Sequence, residues 1–290
     1  MRVAVTATIW GRTPFQQAAE EARDAGYAGI EGVGDLAGDV PLARRALADA
    51  GLEVTAGRFF ANWFAEMYRD IEFDQLQRAA EFFADIGAEF LITSSRPVPE
   101  RMLTAGHVTS QRQDGLLDYQ WTQMADSLTQ AGYITQRDFE LPLLFRNQLG
   151  SYVETGDEMD QLVSMTDPEN LRLAPDIGYL AYTGADPLAF VRAYSDRIAY
   201  LTLKDLDADL HEQHIWARGS LEEYWDAGGF LELGQGDVDV EGLVNLLRDQ
   251  GYDGWLAVGH DQPGRDPSAS VQISRDYLVG LGLELEAELT

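Results

Sequence analysis

Short runs rich in β-branched, aliphatic and aromatic residues recur at 2–9, 28–31, 53–57, 89–93, 141–146, 171–175, 198–203 and 255–259. This recurrence limits the available folds more than any other feature. Each run is too short for a helix, and stretches with apolar residues at helical spacing separate the runs. Helices are expected over 14–25, 40–50, 72–87, 118–131, 156–165, 187–196 and 240–250. Thr13 is the candidate N-cap of the first, with Pro14 at its first helical position. Phe73, Leu76, Phe83 and Ile86 share one face of the third. Gly26, Gly51, Gly87, Gly132 and Gly251 stand where a helix C-cap is expected.

Eight strand–helix units and no linker-like break predict a single α/β domain over 1–290, a (β/α)8 TIM barrel. The alternative is a doubly wound open sheet, but no glycine-rich turn follows the first strand. "RDAGYAGIEGV" at 23–33 and "RDQGYDGWLAV" at 248–258 repeat one helix end, turn and strand in the second and eighth units. Segment 267–288 reads as a final helix that closes the barrel floor or joins two copies in a homo-oligomer.

The formal charge of −28, from 49 acidic and 21 basic side chains, repels nucleic-acid phosphates and anionic lipid heads. Neither is an expected partner. Such an acid excess fits life in concentrated salt, where repulsion is screened to a few ångströms. The alternative, a GC-rich genome that turns Lys codons into Arg, explains the missing lysines but not the acid excess. There is no cysteine, so thiolate chemistry and disulfides are excluded. The opening "MRVAVTATIW" enters a strand directly, and no apolar run of membrane-spanning length is found. A soluble, cytoplasmic protein is expected.

A barrel of this kind gathers function at the C-terminal ends of its strands. There the sequence places Trp10, Glu31, Arg58, Ser94 to Arg96, Arg146 to Gln148, Asp176, Lys204 with Asp205, and His260 with Asp261. Lys204 is the only lysine among the 21 basic residues. A compact ammonium with rotatable donors is not replaced by arginine's planar fork, so Lys204 is the leading candidate for a functional cation. The plain alternative is a rim residue paired with an acidic neighbour.

The stretches "AGYAGIEG" (25–32), "GSYVETGDEMDQL" (150–162), "PDIGYLAYTGADPLAFVRAYSDRIAYLTLKD" (175–205) and "LELGQGDVDVEGLVNLLRDQGYDGWLAVGHDQ" (231–262) resemble the xylose isomerase-like barrel superfamily of sugar phosphate isomerases and epimerases. The resemblance is closest to its inosose dehydratase-like branch. It implies one divalent metal, commonly manganese or cobalt, polarising a keto-sugar or keto-inositol while a side chain moves a proton. It also implies ligands at the ends of strands five to eight: His or Glu, then Asp, His and Glu. The family's His-Pro-His or His-Asn-His is here Arg146-Asn147-Gln148, and its Asp-Thr-Gly-His is Asp176-Ile177-Gly178-Tyr179. His-Val-His-Leu-Lys-Asp becomes Tyr200-Leu201-Thr202-Leu203-Lys204-Asp205, and Val-Glu-Gln-Asp becomes Val258-Gly259-His260-Asp261. Asp176 alone keeps a ligand, while Arg146, Thr202 and Gly259 replace the rest, so no metal cofactor is expected.

Three readings stay open. Asp176, His211, His214 and His260 could build a relocated metal site. Alternatively, cationic side chains replace the metal, with Lys204, Asp176, His260, Arg146 and Glu31 as candidate catalytic residues. Trp10, Arg58, Trp63, Arg96, Gln148, Tyr179 and Asp205 would then contact a small polar keto-sugar-like ligand, with Phe59 and Phe60 in the same aromatic wall. The third reading is a barrel without catalysis that keeps a ligand pocket or only a scaffold. Lys204→Met is expected to leave folding nearly unchanged.

The charge yields the first test. Melting temperature should rise as salt goes from millimolar to molar, because self-repulsion destabilises the compact state at low ionic strength. A flat profile would leave the acid excess without a link to salt.

Overall fold

The computed structural model describes residues 1–107, 115–261 and 266–283. Eight parallel strands form a TIM barrel: Arg2–Thr6, Gly29–Glu31, Glu53–Ala61, Phe90–Ser95, Leu143–Phe145, Arg172–Leu173, Tyr200–Leu203 and Trp255–Val258. Consecutive strands pair except the sixth and seventh, and the first pairs with the eighth at Val3–Leu256 and Val5–Val258. Between the sixth and seventh strands the ring is joined by isolated parallel bridges, Leu173–Ile198 and Asp176–Thr202.

Alternation along the strands separates two cores. Ala4, Ile92, Leu144, Ala174, Tyr200, Trp255 and Ala257 pack together inside the barrel. Their neighbours Val3, Val5, Leu143, Phe145, Leu201, Leu203, Leu256 and Val258 join the apolar layer against the helices. Small residues inside make room for Tyr200 and Trp255. At Gly29 a Cβ would lie 2.4 Å from Thr55 and 2.9 Å from Trp255, so that strand needs glycine. The same parity, carried past the apolar layer, aims Arg146, Asp176, Thr202 and Lys204 at the barrel axis.

Several helix ends differ from the sequence expectation. The first helix, Phe15–Asp24, has Pro14 at its N-cap and no side-chain cap of its own. Thr13 does not cap it. Instead Asp35 reaches across and accepts from the Phe15 N–H at 2.8 Å. The helix expected over 118–131 runs from Asp118 to Phe139 and ends at Glu140 in the left-handed region. Gly132 is therefore internal. A Cβ there would sit 1.7 Å from the Asn170 carbonyl oxygen, so glycine serves a close approach rather than a cap. The first strand stops at Thr6 and passes into a 3₁₀ turn, Ala7–Trp10, while the third extends to Ala61.

After the seventh strand the chain forms a small insertion that the sequence pattern does not show. Asp205–Leu206 pairs antiparallel with Phe230–Leu231 and brackets two helices, Ala208–Ala217 and Leu221–Asp226. Within 267–288, Pro267–Gly280 is helical, and positions from 284 onward lie outside the described residues. This helix follows the eighth strand. Its Val271 carbonyl accepts from Tyr27 Oη at 2.9 Å, which holds it beside the first helix. Among the described residues no helix is long and apolar enough to cross a membrane.

Gly132→Ala should destabilise the fold by about 1–3 kcal/mol in chemical denaturation, as overpacking against fixed backbone does. Asp35→Ala should cost about 1 kcal/mol, the usual value of a lost cap. Thr13→Ala should fall within about 0.5 kcal/mol of wild type. A cost at Thr13 with none at Asp35 would reverse this account of the first helix.

Candidate active site

The C-terminal ends of the strands surround a cleft of about 430 Å³. Arg58, Phe60, Arg96, Arg146, Gln148, Asp176, Tyr179, Thr202, Lys204, Trp225 and Asp261 line it, with Thr6, Thr8 and Pro97. Larger hollows of about 790 and 720 Å³ lie elsewhere, one beside helix Gly156–Met165 and one at the strands' N-terminal ends. Only the smaller cleft collects the inward side chains of the strand ends.

Lys204 follows directly on the seventh strand and is 5% exposed. Its Nζ donates to Asp261 Oδ1 and Oδ2 at 2.8 and 2.9 Å. Asp176 Oδ2 lies 3.2 Å away, and the Tyr179 ring centre 3.7 Å. Two glycines make the path. A Cβ on Gly178 would meet Lys204 Cβ at 2.5 Å, and one on Gly259 would meet its Cε at 2.9 Å. At position 259, where the resemblance implies a ligand carboxylate, the stem of the lysine occupies the space.

One cation shared by two carboxylates splits their acidities. Burial alone pushes both up, because it penalises the charged form. For Asp261, the Lys204 charge together with hydrogen bonds from Lys204 and Tyr179 overcomes burial and holds the carboxyl below its ordinary range. For Asp176, burial prevails over Lys204, the Asp261 charge adds to it, and the carboxyl is pushed up. Burial works against the ammonium too, but the two carboxylates outweigh it and keep Lys204 charged.

Beneath this trio lies a second buried pair. Arg146 Nη1 and Nη2 donate to Glu31 Oε1 and Oε2 at 2.7 and 2.6 Å. It joins the end of the fifth strand to that of the second across the barrel interior. Burial pushes the Glu31 carboxyl up, but Arg146 reverses this and holds it below the usual range. Arg58 approaches Glu31 only to 3.6 Å.

Several sequence expectations are corrected here. Glu31 does not line the cleft, and both of its oxygens are occupied by Arg146, so it is not placed to move a proton. Arg146 faces Glu31 rather than Asp176. His260 points away from the cleft: Nδ1 lies 3.3 Å from the Asp261 carbonyl and Nε2 3.9 Å from Glu232. Asp205 is a structural clamp, accepting backbone N–H bonds from Leu206, Gly234, Gly236 and Val238. Trp10 donates to Glu21 at 2.6 Å and Trp63 to Thr93 at 3.0 Å, and neither borders the cleft. Arg58, Arg96, Gln148 and Tyr179 do.

The four candidates for a relocated metal site do not assemble. His211 Nε2 bonds the Tyr182 carbonyl at 2.8 Å, and the His214 ring packs on Tyr224, both within the insertion. No group of three or more His, Cys, Asp or Glu able to hold a metal is present among the described residues. Position by position, an engaged guanidinium, a hydroxyl and a glycine do not make a divalent donor set with Asp176.

Sequence reading placed Asp261 at the strand ends but gave it no role, whereas it is the main partner of Lys204. It missed Trp225, which reaches the cleft from the insertion and leaves no sequence signal. Four lining residues carry a buried polar atom without a hydrogen-bond partner among the described residues: Arg146 Nε, Gln148 Oε1, Thr202 Oγ1 and Trp225 Nε1. Unpaired buried polar atoms are costly, so a cleft that concentrates them is suited to a polar ligand.

Fold and cleft together define a barrel with a polar cleft at its strand ends. The chain belongs to the xylose isomerase-like TIM barrel family, whose sequence pattern matches residues 19–279. Among its relatives, the inosose dehydratase of Clostridium beijerinckii is 27% identical over 256 residues, 86% of this chain and 82% of that protein. The probable 3-DHS dehydratase AsbF of Bacillus anthracis superposes with a TM-score of 0.72 at 15% identity, covering 96% of this chain and 99% of its own. The 3-keto-D-glucoside 4-epimerase YcjR of E. coli does so with 0.71 at 16%, covering 97% and 99%. At such identities the two structures bear on the fold alone.

The trio corrects the expectation that Lys204→Met leaves folding unchanged. Without the ammonium, buried Asp176 and partly buried Asp261 lose their nearest cation and keep only the more distant Arg146 and Arg58, so their folded pKa values should rise. A raised acid costs nothing while it is protonated at low pH, and the penalty appears as pH rises through the shifted range. The variant should match wild type near about pH 4 and lose about 3–5 kcal/mol by neutral pH, the cost of breaking a buried pair. Denaturation at several pH values checks this. A deficit independent of pH would mean that lost packing, not stranded charge, is the cause.

Proposed function

We propose that the protein is an isomerase or lyase acting on a small polyhydroxylated keto compound, a keto-sugar or keto-inositol, without the divalent metal that the family resemblance implies. The observation that carries this reading is the pairing of a fixed ammonium with a carboxylate of raised pKa in a cleft rich in unpartnered polar atoms. Two carboxylates whose surroundings drive their acidities apart divide the work. Asp261, held ionised, positions Lys204. Asp176, more basic, transfers the proton.

The relatives support the substrate class. Dehydration of an inosose and 4-epimerisation of a 3-keto-glucoside are both reactions of hydroxylated ketones. In such a ketone, Asp176 takes the hydrogen from the carbon beside the carbonyl, and the electron pair of that bond moves to the carbonyl oxygen. The Lys204 ammonium stabilises the resulting enolate, where a metal would otherwise supply positive charge. Return of the proton to the former carbonyl carbon, with the adjacent hydroxyl passing its proton to the enolate oxygen, completes isomerisation. Uptake of a proton from water on the opposite face, with Asp176 releasing its own to solvent, completes epimerisation. Transfer of the Asp176 proton to a departing β-hydroxyl, which leaves as water, completes dehydration. Gln148, Thr202 and Trp225 also line the cleft and carry the donor and acceptor types that a hydroxylated ring requires.

The test is hydrogen exchange in heavy water with chelator-treated protein, using an inosose and a ketohexose and reading the α-proton by NMR. Exchange should proceed with chelator present. Its rate should rise with pH as Asp176 deprotonates, with the midpoint above the ordinary aspartate value near about 3.9. Lys204→Met should lose about 10²–10³-fold, as expected when one charge-stabilising donor is removed, and Lys204→Arg should not restore the rate. Exchange that appears only after adding manganese or cobalt would sink the metal-free mechanism. Absence of exchange from every ketone tried would sink the enzymatic reading.

A further inference from the structure

We infer that the ligand of this cleft carries an anionic oxygen group, a carboxylate or a phosphate, and that Arg58 and Arg96 hold it at the mouth. This deepens the keto-polyol reading of the cleft and rests on that reading for the remainder of the ligand.

The cations of the cleft are not equally free. Lys204 is engaged by Asp261 and Asp176. Arg146 is engaged by both oxygens of Glu31. Arg58 is different. Its only ion-pair partner among the described residues is Glu31, with Nε 3.6 Å from an oxygen that already accepts from Arg146 at 2.7 Å, while Asp261 in the same cleft feels its charge without bonding it. Neither terminal nitrogen of Arg58 makes a hydrogen bond to a described residue. Its side chain is 24% exposed, so the fork is reachable from the cleft.

Phe60 brings the second arginine to the same place. The Arg58 guanidinium lies 5.1 Å over the Phe60 ring, and Arg96 Nη2 donates to the Phe60 carbonyl at 2.7 Å. Phe60 is in register with Ser94, and the Arg96 N–H continues the pairing to Ala61 at 3.0 Å, so the arginines rise from adjacent strands. Arg96 also nears Glu72 at 3.6 Å but is 46% exposed, a loose contact that a ligand can share. A stacked guanidinium loses little freedom on binding, and its planar donors match the paired oxygens of a carboxylate or phosphate. On a chain of charge −28 an anion is repelled almost everywhere, so an anionic substrate requires local cations of this kind.

The test uses inert probes in calorimetry at fixed ionic strength: D-gluconate, D-glucose 6-phosphate and D-sorbitol. One of the two anions should bind at least tenfold more tightly than sorbitol, and which one does so identifies the group. Arg58→Gln should erase the preference at least tenfold, with folding checked by melting. Arg96→Gln, on the exposed rim, should weaken it and serves as the second variant if Arg58→Gln does not fold. Equal affinity for sorbitol, no binding of any probe, or a preference that survives in both variants overturns the inference. The exchange experiment separates the two proposals. Anion binding without exchange of any ketone keeps the anion site and removes the catalytic reading. Exchange of a neutral ketone with no anion preference removes the anion site alone.

Discussion

Charge cannot be buried singly, and the upper half of this barrel is built around that constraint. An isolated ion in a poorly polarisable interior is penalised by several kcal/mol, which only a close partner offsets. Glu31 and Arg146, contributed by the second and fifth strands, satisfy it through two parallel hydrogen bonds. Lys204, Asp176 and Asp261 satisfy it with one cation against two anions. Such pairs add little net stability over apolar packing of similar volume, yet breaking one is costly. They therefore fix the strand ends in one arrangement. The apolar layer below, with Tyr200 Oη 2.8 Å from Thr55 Oγ1, completes the column.

Much of the fold was legible because a parallel barrel writes its units in order. Strand runs of aliphatic and aromatic residues and the glycines ending helices at Gly26, Gly51, Gly87 and Gly251 are local signals, and all four glycines have positive φ. Gly132 misled because sequence shows that a residue lacks a side chain, not whether a turn or a neighbouring backbone requires it. Thr13 misled for a similar reason: the cap that forms comes from Asp35, which local spacing cannot report.

The site was half legible, and parity explains the division. Leu144, Ala174, Tyr200 and Trp255 face the barrel interior. Counting by twos from them reaches Arg146, Asp176, Lys204 and Asp261. Counting by odd steps reaches Asp205 and His260, which the structure turns away from the cleft. Period-two counting was available in the sequence and would have exchanged His260 for Asp261. What no counting supplies is the reach across the barrel from Arg146 to Glu31, or the entry of Trp225 from an insertion whose first helix, Ala208–Ala217, buries no residue.

On the proposed reading, the unequal trio is also a coupling device. With both aspartates ionised, the ammonium is balanced twice over, and the group carries one net negative charge. That is a poor environment for a second negative charge on a nearby oxygen. When Asp176 accepts the substrate proton it becomes neutral, and only Asp261 still opposes Lys204. The pull of the ammonium on the forming enolate is thus strengthened by the same event that creates the enolate. Stabilisation that grows with the charge it stabilises lowers the barrier, whereas an equal attraction to the ketone would not. The role asks for a compact cation whose donors can turn between two acidic partners and a ligand oxygen. A planar guanidinium locked to two carboxylates cannot make that turn, which accounts for a lysine at this position in a chain that otherwise uses arginine.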